Sequence, residues 1–142
     1  MKVIEASNAN LSAWAELRNA LWPGDLDAHR AEIDEMLSDP SQAAFLLVDE
    51  DEISHGFIEG KYYQAKDQRY GHVEGWYLAP EMRGRGYGQM LMSQLEAWFL
   101  HHSIACFHSD TIEAEYPLSK QAHLNNGYEE AYSLRIFVKN PR

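Results

Sequence analysis

Residues 73–92 read VEGWYLAPEMRGRGYGQMLM. An apolar strand-like stretch ends at Ala79-Pro80, a short loop rich in Arg and Gly follows, and helix-type periodicity begins directly after it. In Arg83-Gly84-Arg85-Gly86-Tyr87-Gly88 a glycine stands at every second position. Glycine lets backbone N–H groups approach a ligand closely, and a helix N-terminus offers unpaired N–H donors at the positive end of its dipole. The two arginines add charge and paired donors suited to phosphate. The stretch therefore reads as an anion site for a phosphorylated molecule, against a plainer reading in which the glycines only make a tight strand-to-helix turn.

The remainder of the 142-residue chain sets the frame for that site. A hydrophobic content of 45% is that of a globular protein, and the length suits a single domain spanning 1–142. No apolar run approaches the roughly 18 residues of a membrane span, and Met1-Lys2-Val3-Ile4-Glu5 lacks the apolar region of a signal peptide. The one cysteine, Cys106, permits no internal disulfide and reads as an inert buried thiol. These features point to the cytoplasm. The net charge of −10 argues against nucleic acid and anionic membranes as partners and favours a cationic small molecule, although acidity also confers solubility alone. The seven histidines show no metal-ligand spacing, so no metal is expected.

In order, Lys2–Glu5 reads as a strand, and Leu11, Trp14, Leu17, Leu21 and Trp22 mark a helix that stops at Pro23-Gly24. A second helix carries Ile33, Met36 and Leu37. Ala43–Asp49 is a buried strand, Ile53–Tyr63 another with Gly56 and Gly60 as candidate bulges, and Gln64–Gly71 a hairpin loop. The central strand Tyr70–Leu78, the glycine loop and a helix carrying Leu91, Leu95, Trp98 and Phe99 come next. Ile104–His108 reads as a strand, Pro117 to about Asn125 as a helix closed by Asn126-Gly127, and Ala131–Lys139 as the last strand. The order implies an α/β fold of the α+β kind, with a central mixed, mostly antiparallel sheet flanked by helices on both faces.

Arg83-x-x-Gly86-x-Gly88, placed after a strand and opening a helix, resembles the acetyl-CoA motif of the GCN5-related N-acetyltransferases, and the element order resembles that fold over the whole chain. The chain further resembles the aminoglycoside 6′-N-acetyltransferases in Leu17-Arg18 with Leu21-Trp22-Pro23-Gly24, in Val73-Glu74-Gly75 with Tyr77-Leu78-x-Pro80, in Ser109-Asp110-Thr111, and in Ser119-x-x-x-His123-x-x-x-Gly127-Tyr128-Glu129-Glu130. The resemblance implies acetyl-CoA as co-substrate, with pantetheine along Trp76, Tyr77 and Leu78 and the pyrophosphate on the loop formed by Arg83, Gly84, Arg85, Gly86, Tyr87, Gly88 and Gln89. Tyr116 stands near the position where those enzymes carry an Asn for a further cofactor contact. The implied substrate site comprises Trp22, Glu74, Asp110, Tyr132 and either Tyr62 or Tyr63. The implied activity is acetylation of the 6′-amine of aminoglycosides by direct transfer in a ternary complex, by an enzyme that forms a homodimer. The rival readings are an acetyltransferase of polyamines, amino sugars or peptides, and a non-catalytic acyl-CoA sensor.

Acetyl transfer to an amine needs a carboxylate to attract the ammonium and help remove its proton. Glu74 lies in an apolar strand beside Gly75, where a bulge would turn it into the cleft; partial burial would raise its pKa toward that of a base working near neutrality. Asp110 opens a polar loop and is the second candidate, with a turn cap as its ordinary alternative. His123 stands four residues before Gly127, where many of the family carry a Tyr that protonates the departing thiolate; a packing role is the ordinary alternative. Trp22, Tyr62 and Tyr63 offer stacking faces for a sugar ring, and Trp22 also fits a core position at helical spacing.

Overall fold

The computed structural model describes residues 1–140, which fall into two compact units: Met1–Asp110, and the chain from Thr111 onward. The first unit holds β1 (Lys2–Glu5), α1 (Leu11–Leu21), α2 (Leu26–Leu37), β2 (Gln42–Val48), β3 (Ser54–Ala65), β4 (Gln68–Leu78), α3 (Tyr87–His101) and β5 (Phe107–Ser109). The second holds α4 (Ser119–Asn125). Local chemistry sets the boundaries. Ser7 and Asn10 form a reciprocal capping box ahead of α1, Pro23 ends it, and the Asp25 carboxylate accepts from the Asp27 N–H to start α2. Gly86, at φ 84°, adopts the left-handed conformation that caps α3.

The five strands form one sheet in the order β1-β2-β3-β4-β5, antiparallel from β1 to β4 and parallel between β4 and β5. On one face Trp14, Ala15 and Ile33 of α1 and α2 bury against Ala44, Leu46, Val48 and Phe57. On the other, α3 presents Leu95 and Phe99 so closely that a Cβ at Gly60 would lie 2.5 Å from Leu95 and one at Gly71 2.7 Å from Phe99. Both faces of the sheet are thus covered, as the pattern of the chain implies.

Four sequence expectations are corrected. The β3–β4 connection is the tight turn Lys66-Asp67, with Lys66 at φ 53°, because β3 extends to Ala65 and β4 starts at Gln68. The strand expected over Ile104–His108 is the three-residue β5, and it starts only after Cys106. Cys106 is half-buried rather than buried, and its Sγ lies 3.4 Å from His108 Nε2. The final strand expected over Ala131–Lys139 is not formed. Residues 128–140 carry no regular structure, with Tyr132 77% and Phe137 91% exposed. Apolar side chains alternate there at Tyr132, Leu134, Ile136 and Val138, but a strand exists only where a neighbour satisfies its backbone groups, and all five paired strands lie in the first unit.

Candidate active site

A single extra residue in β4 organises the site. Glu59 pairs with Gly75 and Gly60 with Val73, so Glu74 is left as the bulged residue between them. In a regular strand Gly71 and Gly75 would face the same way. Here a Cβ at Gly71 would meet Phe99 of α3, whereas one at Gly75 would lie 2.4 Å from Trp22 Cη2 on the α1 side. The bulge reverses the parity, so Tyr70 and His72 before it share a face with Gly75 and Tyr77 after it. Gly75, anticipated as the mark of a bulge, is also the one residue small enough to accept the Trp22 ring.

On this face the Tyr63 hydroxyl donates to Glu74 Oε1 at 2.5 Å. His72 lies between two carboxylates, with Nδ1 3.6 Å from Glu74 Oε2 and Nε2 3.6 Å from Asp110 Oδ2. Tyr63 stacks on Tyr70 at 5.5 Å, and Tyr70 on His108 at 4.6 Å. Lys61 Nζ sits 5.3 Å from the Tyr63 ring and 3.8 Å from Asp39. Asp110 is delivered by β5, which pairs with β4 at Gly71, His72 and Val73 and then stops. Its side chain is 87% exposed, whereas those of His72 and Glu74 are 21% and 33% exposed.

Burial pushes the Glu74 carboxyl up, but His72 and the Tyr63 hydroxyl outweigh it and hold the group below its ordinary 4.5. The raised pKa expected from burial is thereby corrected: Glu74 rests as a carboxylate. His72 moves the opposite way. Its partnership with Glu74 lifts it above 6.5, burial opposes the rise, and Asp110 adds to it. Burial first, then the hydrogen bond to Glu74 and the Glu74 charge, push the Tyr63 phenol up, which keeps it a donor. The result is a hydrogen-bonded cluster with two carboxylates, Glu74 and Asp110, whose charge attracts a cation.

Trp22 forms the neighbouring wall. It caps the end of α1, meets Phe57 edge-on at 6.0 Å and lies under the Arg18 guanidinium at 4.9 Å. Arg18 is 4% exposed and donates to Glu59 and Glu32, while Trp14 Nε1 donates to Glu59 Oε2 at 2.7 Å. Arg18 Nε donates to His29 Nδ1, and His29 Nε2 lies 2.9 Å from the Trp22 carbonyl. A buried charge network therefore fixes Trp22 from below. Tyr62 does not join this group: it stacks on Trp98 of α3 at 5.6 Å, on the opposite face, with Arg69 4.5 Å from its ring.

The glycine loop lies at the other end of β4. Among the described residues no strand pairs with the β5-facing edge of β4 beyond Val73, and such an edge can take an extended ligand. Trp76 Nε1 donates to the Gly88 carbonyl at 3.2 Å, joining strand to helix. Gly84 and Gly86 both have positive φ, and a Cβ at either would meet no atom within 4 Å. The first-turn N–H groups of α3, from Tyr87 to Gln89, have no intrahelical acceptor. Arg83 is drawn back, its Nε donating to the Leu78 carbonyl at 3.1 Å, whereas Arg85 is exposed. A strand edge leading to the unpaired N–H groups of a helix N-terminus matches an extended chain ending in a pyrophosphate, so these residues fit acetyl-CoA.

Tyr116, His123 and Tyr132 belong to the second unit. His123 lies on α4, its Nδ1 donating to the Ser119 carbonyl at 2.7 Å and its ring edge-on to Tyr128 at 5.7 Å. Gly127, at φ 85°, ends that helix as its sequence suggests.

Two parts of the site escaped the sequence reading. His72 is absent from the candidate residues, although Tyr70, His72 and Glu74 stand at strand period two. Glu59 sits inside an apolar strand, and its partner Arg18 is 41 residues away; a charged residue in such a run was the available signal.

Residues 11–119 match the acetyltransferase (GNAT) family model. An aminoglycoside N(6′)-acetyltransferase type 1 of Stenotrophomonas maltophilia is 32% identical over 138 residues, covering 94% of this chain and 89% of that protein. The apo crystal structure of aminoglycoside 6′-N-acetyltransferase AAC(6′)-Ig from Acinetobacter haemolyticus superposes with a TM-score of 0.87 at 28% identity, covering 100% of both chains. Aminoglycoside acetyltransferase AAC(6′)-Iy, solved in complex with the bisubstrate analogue CoA-S-monomethyl-acetylneamine, gives a TM-score of 0.87 at 26% identity over 99% of this chain and 98% of that one.

Proposed function

The chain belongs to the acetyltransferase (GNAT) family, and on that premise we propose that it transfers the acetyl group of acetyl-CoA to the 6′-amine of an aminoglycoside. The observation that carries this reading is the convergence of Glu74, His72, Asp110 and Tyr63 on one face of β4, where the strand's other edge is open for the thioester arm. The names of the relatives support the choice of acceptor.

In this reading Glu74 and Asp110 attract the substrate ammonium and begin its deprotonation, and Trp22 and Tyr63 pack against the sugar ring. Acetyl-CoA supplies an activated thioester carbonyl. Of the two candidates Tyr77 and Leu78, the backbone N–H of Leu78 polarises it from the free edge, because the adjacent Ala79 N–H is turned into β3 toward the His55 carbonyl, and the loop amides from Gly84 to Gln89 hold the pyrophosphate with Arg85. We assign Tyr116 to further cofactor contact, Tyr132 to substrate contact and His123 to protonation of the departing thiolate. The 1–142 chain would act as one acetyltransferase domain, since the structural matches span essentially the whole of it.

We further propose a homodimer in the cytoplasm. The alternating apolar residues Tyr132, Leu134, Ile136 and Val138, all at least 75% exposed, support self-association, and no described helix is long and apolar enough to cross a membrane. A free-thiol assay with acetyl-CoA and a panel of aminoglycosides, polyamines and peptides tests the function. Turnover confined to aminoglycosides bearing a 6′-amine supports it; turnover only on peptides or polyamines, or binding of acetyl-CoA without turnover, overturns it.

A further inference from the structure

Acetylation of an ammonium by a thioester releases one proton overall. The ammonium loses two, of which one ends on the CoA thiol and the other must leave the site. Glu74 is the group best placed to take the proton that must leave, but it is recessed, with its side chain 33% exposed and its Oε1 already accepting from Tyr63. A carboxyl that keeps the proton is no longer a base for the next cycle. The fold provides an exit. His72 stands with Nδ1 toward Glu74 and Nε2 toward Asp110, and Asp110 opens to solvent with its side chain 87% exposed.

We propose that His72 is a proton relay for the acetyl transfer, carrying the acceptor amine's proton from Glu74 through its imidazole to Asp110 and so to water. The proposal rests on the acetyltransferase reading above. In the step itself the substrate N–H bond breaks with its electron pair left on nitrogen, and the proton passes to a Glu74 oxygen. It then moves to the Nδ1 lone pair of neutral His72, restoring the Glu74 carboxylate. The imidazolium releases the proton on Nε2 to Asp110 and from there to bulk water, and solvent exchange resets the tautomer. Meanwhile the free amine pair forms the C–N bond as the C–S bond breaks. The remaining amine proton replaces the one that His123 gives the thiolate, so charge and atoms balance.

Both contacts of His72 are 3.6 Å, the spacing of a loosely held charge pair, and one that a bridging water or a small tightening on substrate binding turns into a proton path. The surroundings suit a group that exchanges a proton near neutrality. Facing it from β3 are Tyr63 and, beside that ring, Lys61 with its partner Asp39. From β4 come Tyr70 and Glu74, and from β5 and its end come His108, its register partner, and Asp110. In the empty site the two carboxylates raise His72 above 6.5. A substrate ammonium beside Glu74 acts the other way and favours the neutral ring that accepts a proton. No cluster of three His, Cys, Asp or Glu able to hold a metal ion is present among the described residues, so the trio is not arranged as a metal site.

The test compares wild type with His72→Gln, which keeps polarity and size but does not titrate in this range. With acetyl-CoA and an aminoglycoside, wild-type kcat is expected to fall along an acid limb set by His72. In His72→Gln kcat should drop on the order of 100-fold, lose that limb and leave acetyl-CoA affinity within twofold; added imidazole should restore part of the rate to His72→Gly. An active wild type with an unchanged kcat and pH profile in His72→Gln overturns the relay while leaving the acetyltransferase reading intact. No thiol release from wild type with any amine overturns that reading and the relay with it. A folding-independent check uses wild type alone: the His72 ring resonance, followed by NMR, should titrate above 6.5, and titration at or below that value overturns the link to the two carboxylates.

Discussion

The Tyr63 hydroxyl donates to Glu74 Oε1 at 2.5 Å across the β3–β4 pair, joining an aromatic wall to the bulged carboxylate. Burial raises the Glu74 carboxyl, and this bond, together with the larger effect of His72, brings it below its ordinary 4.5. Tyr63→Phe removes the donor and leaves the ring. A group whose folded pKa is depressed contributes stability above its unfolded pKa and loses it as pH falls through the folded value. The variant should therefore lose roughly 1 kcal/mol near neutrality, and less as pH falls through the range where Glu74 protonates. The Glu74 side-chain carboxyl resonance, followed by NMR, should titrate at higher pH than in wild type. An unmoved titration would remove Tyr63 from the control of Glu74.

Gly75→Ala tests the packing that the bulge creates. The new Cβ would lie 2.4 Å from Trp22 Cη2 and 3.2 Å from Phe57, so Trp22 must move. Overpacking of this kind costs about 1–3 kcal/mol. KM for the amine substrate should rise several-fold while acetyl-CoA affinity holds, which steady-state kinetics and calorimetry separate. An unchanged KM would place Trp22 outside the substrate wall.

Arg18→Leu strips the buried Glu59 carboxylate of its main counter-charge, leaving Trp14 as its donor. Breaking such a pair costs about 3–5 kcal/mol. Burial pushes the Glu59 carboxyl up, and Arg18 opposes that rise. Without Arg18 the raised pKa makes Glu59 favour folding below its unfolded value, and that support is lost as pH rises through the folded value. The variant should thus be relatively less stable at pH 7 than at pH 5 when compared with wild type in urea melts. The reverse trend would contradict the buried charge pair.

Gly86→Glu adds bulk and negative charge at the α3 N-cap, where φ is 84°. Strain at that φ costs roughly 1–2 kcal/mol, and the carboxylate would stand at the N-terminus of α3, where the pyrophosphate is proposed to bind. Acetyl-CoA affinity should fall by more than about tenfold, read by calorimetry on protein whose circular dichroism is unchanged. Retained affinity would mean that the loop does not hold the pyrophosphate.

Much of this site was legible in residue order, and the gaps have physical causes. The glycine loop, the helix that starts at Tyr87 and the bulge beside Gly75 could be read because each follows from local backbone chemistry. The choice between Tyr62 and Tyr63 could not, because it depends on which face each takes. Only the strand pairing puts Tyr63 beside Glu74 and Tyr62 against Trp98. The direction of the Glu74 shift was misread for a related reason: burial was visible from the apolar strand, but its partners His72 and Tyr63 were not counted. Arg18 with Glu59 is a long-range pair that leaves no local pattern. The segment 131–139 shows the opposite failure, a strand-like period without a strand to pair with.

The central claim concerns which nitrogen receives the acetyl group. Wild-type protein incubated with isotope-labelled acetyl-CoA and an aminoglycoside bearing several amines, followed by NMR of the product, addresses it directly. The account predicts one label, on the 6′-nitrogen, with one thiol released per acetyl transferred. Label on any other nitrogen, or none with CoA unreleased, would contradict it.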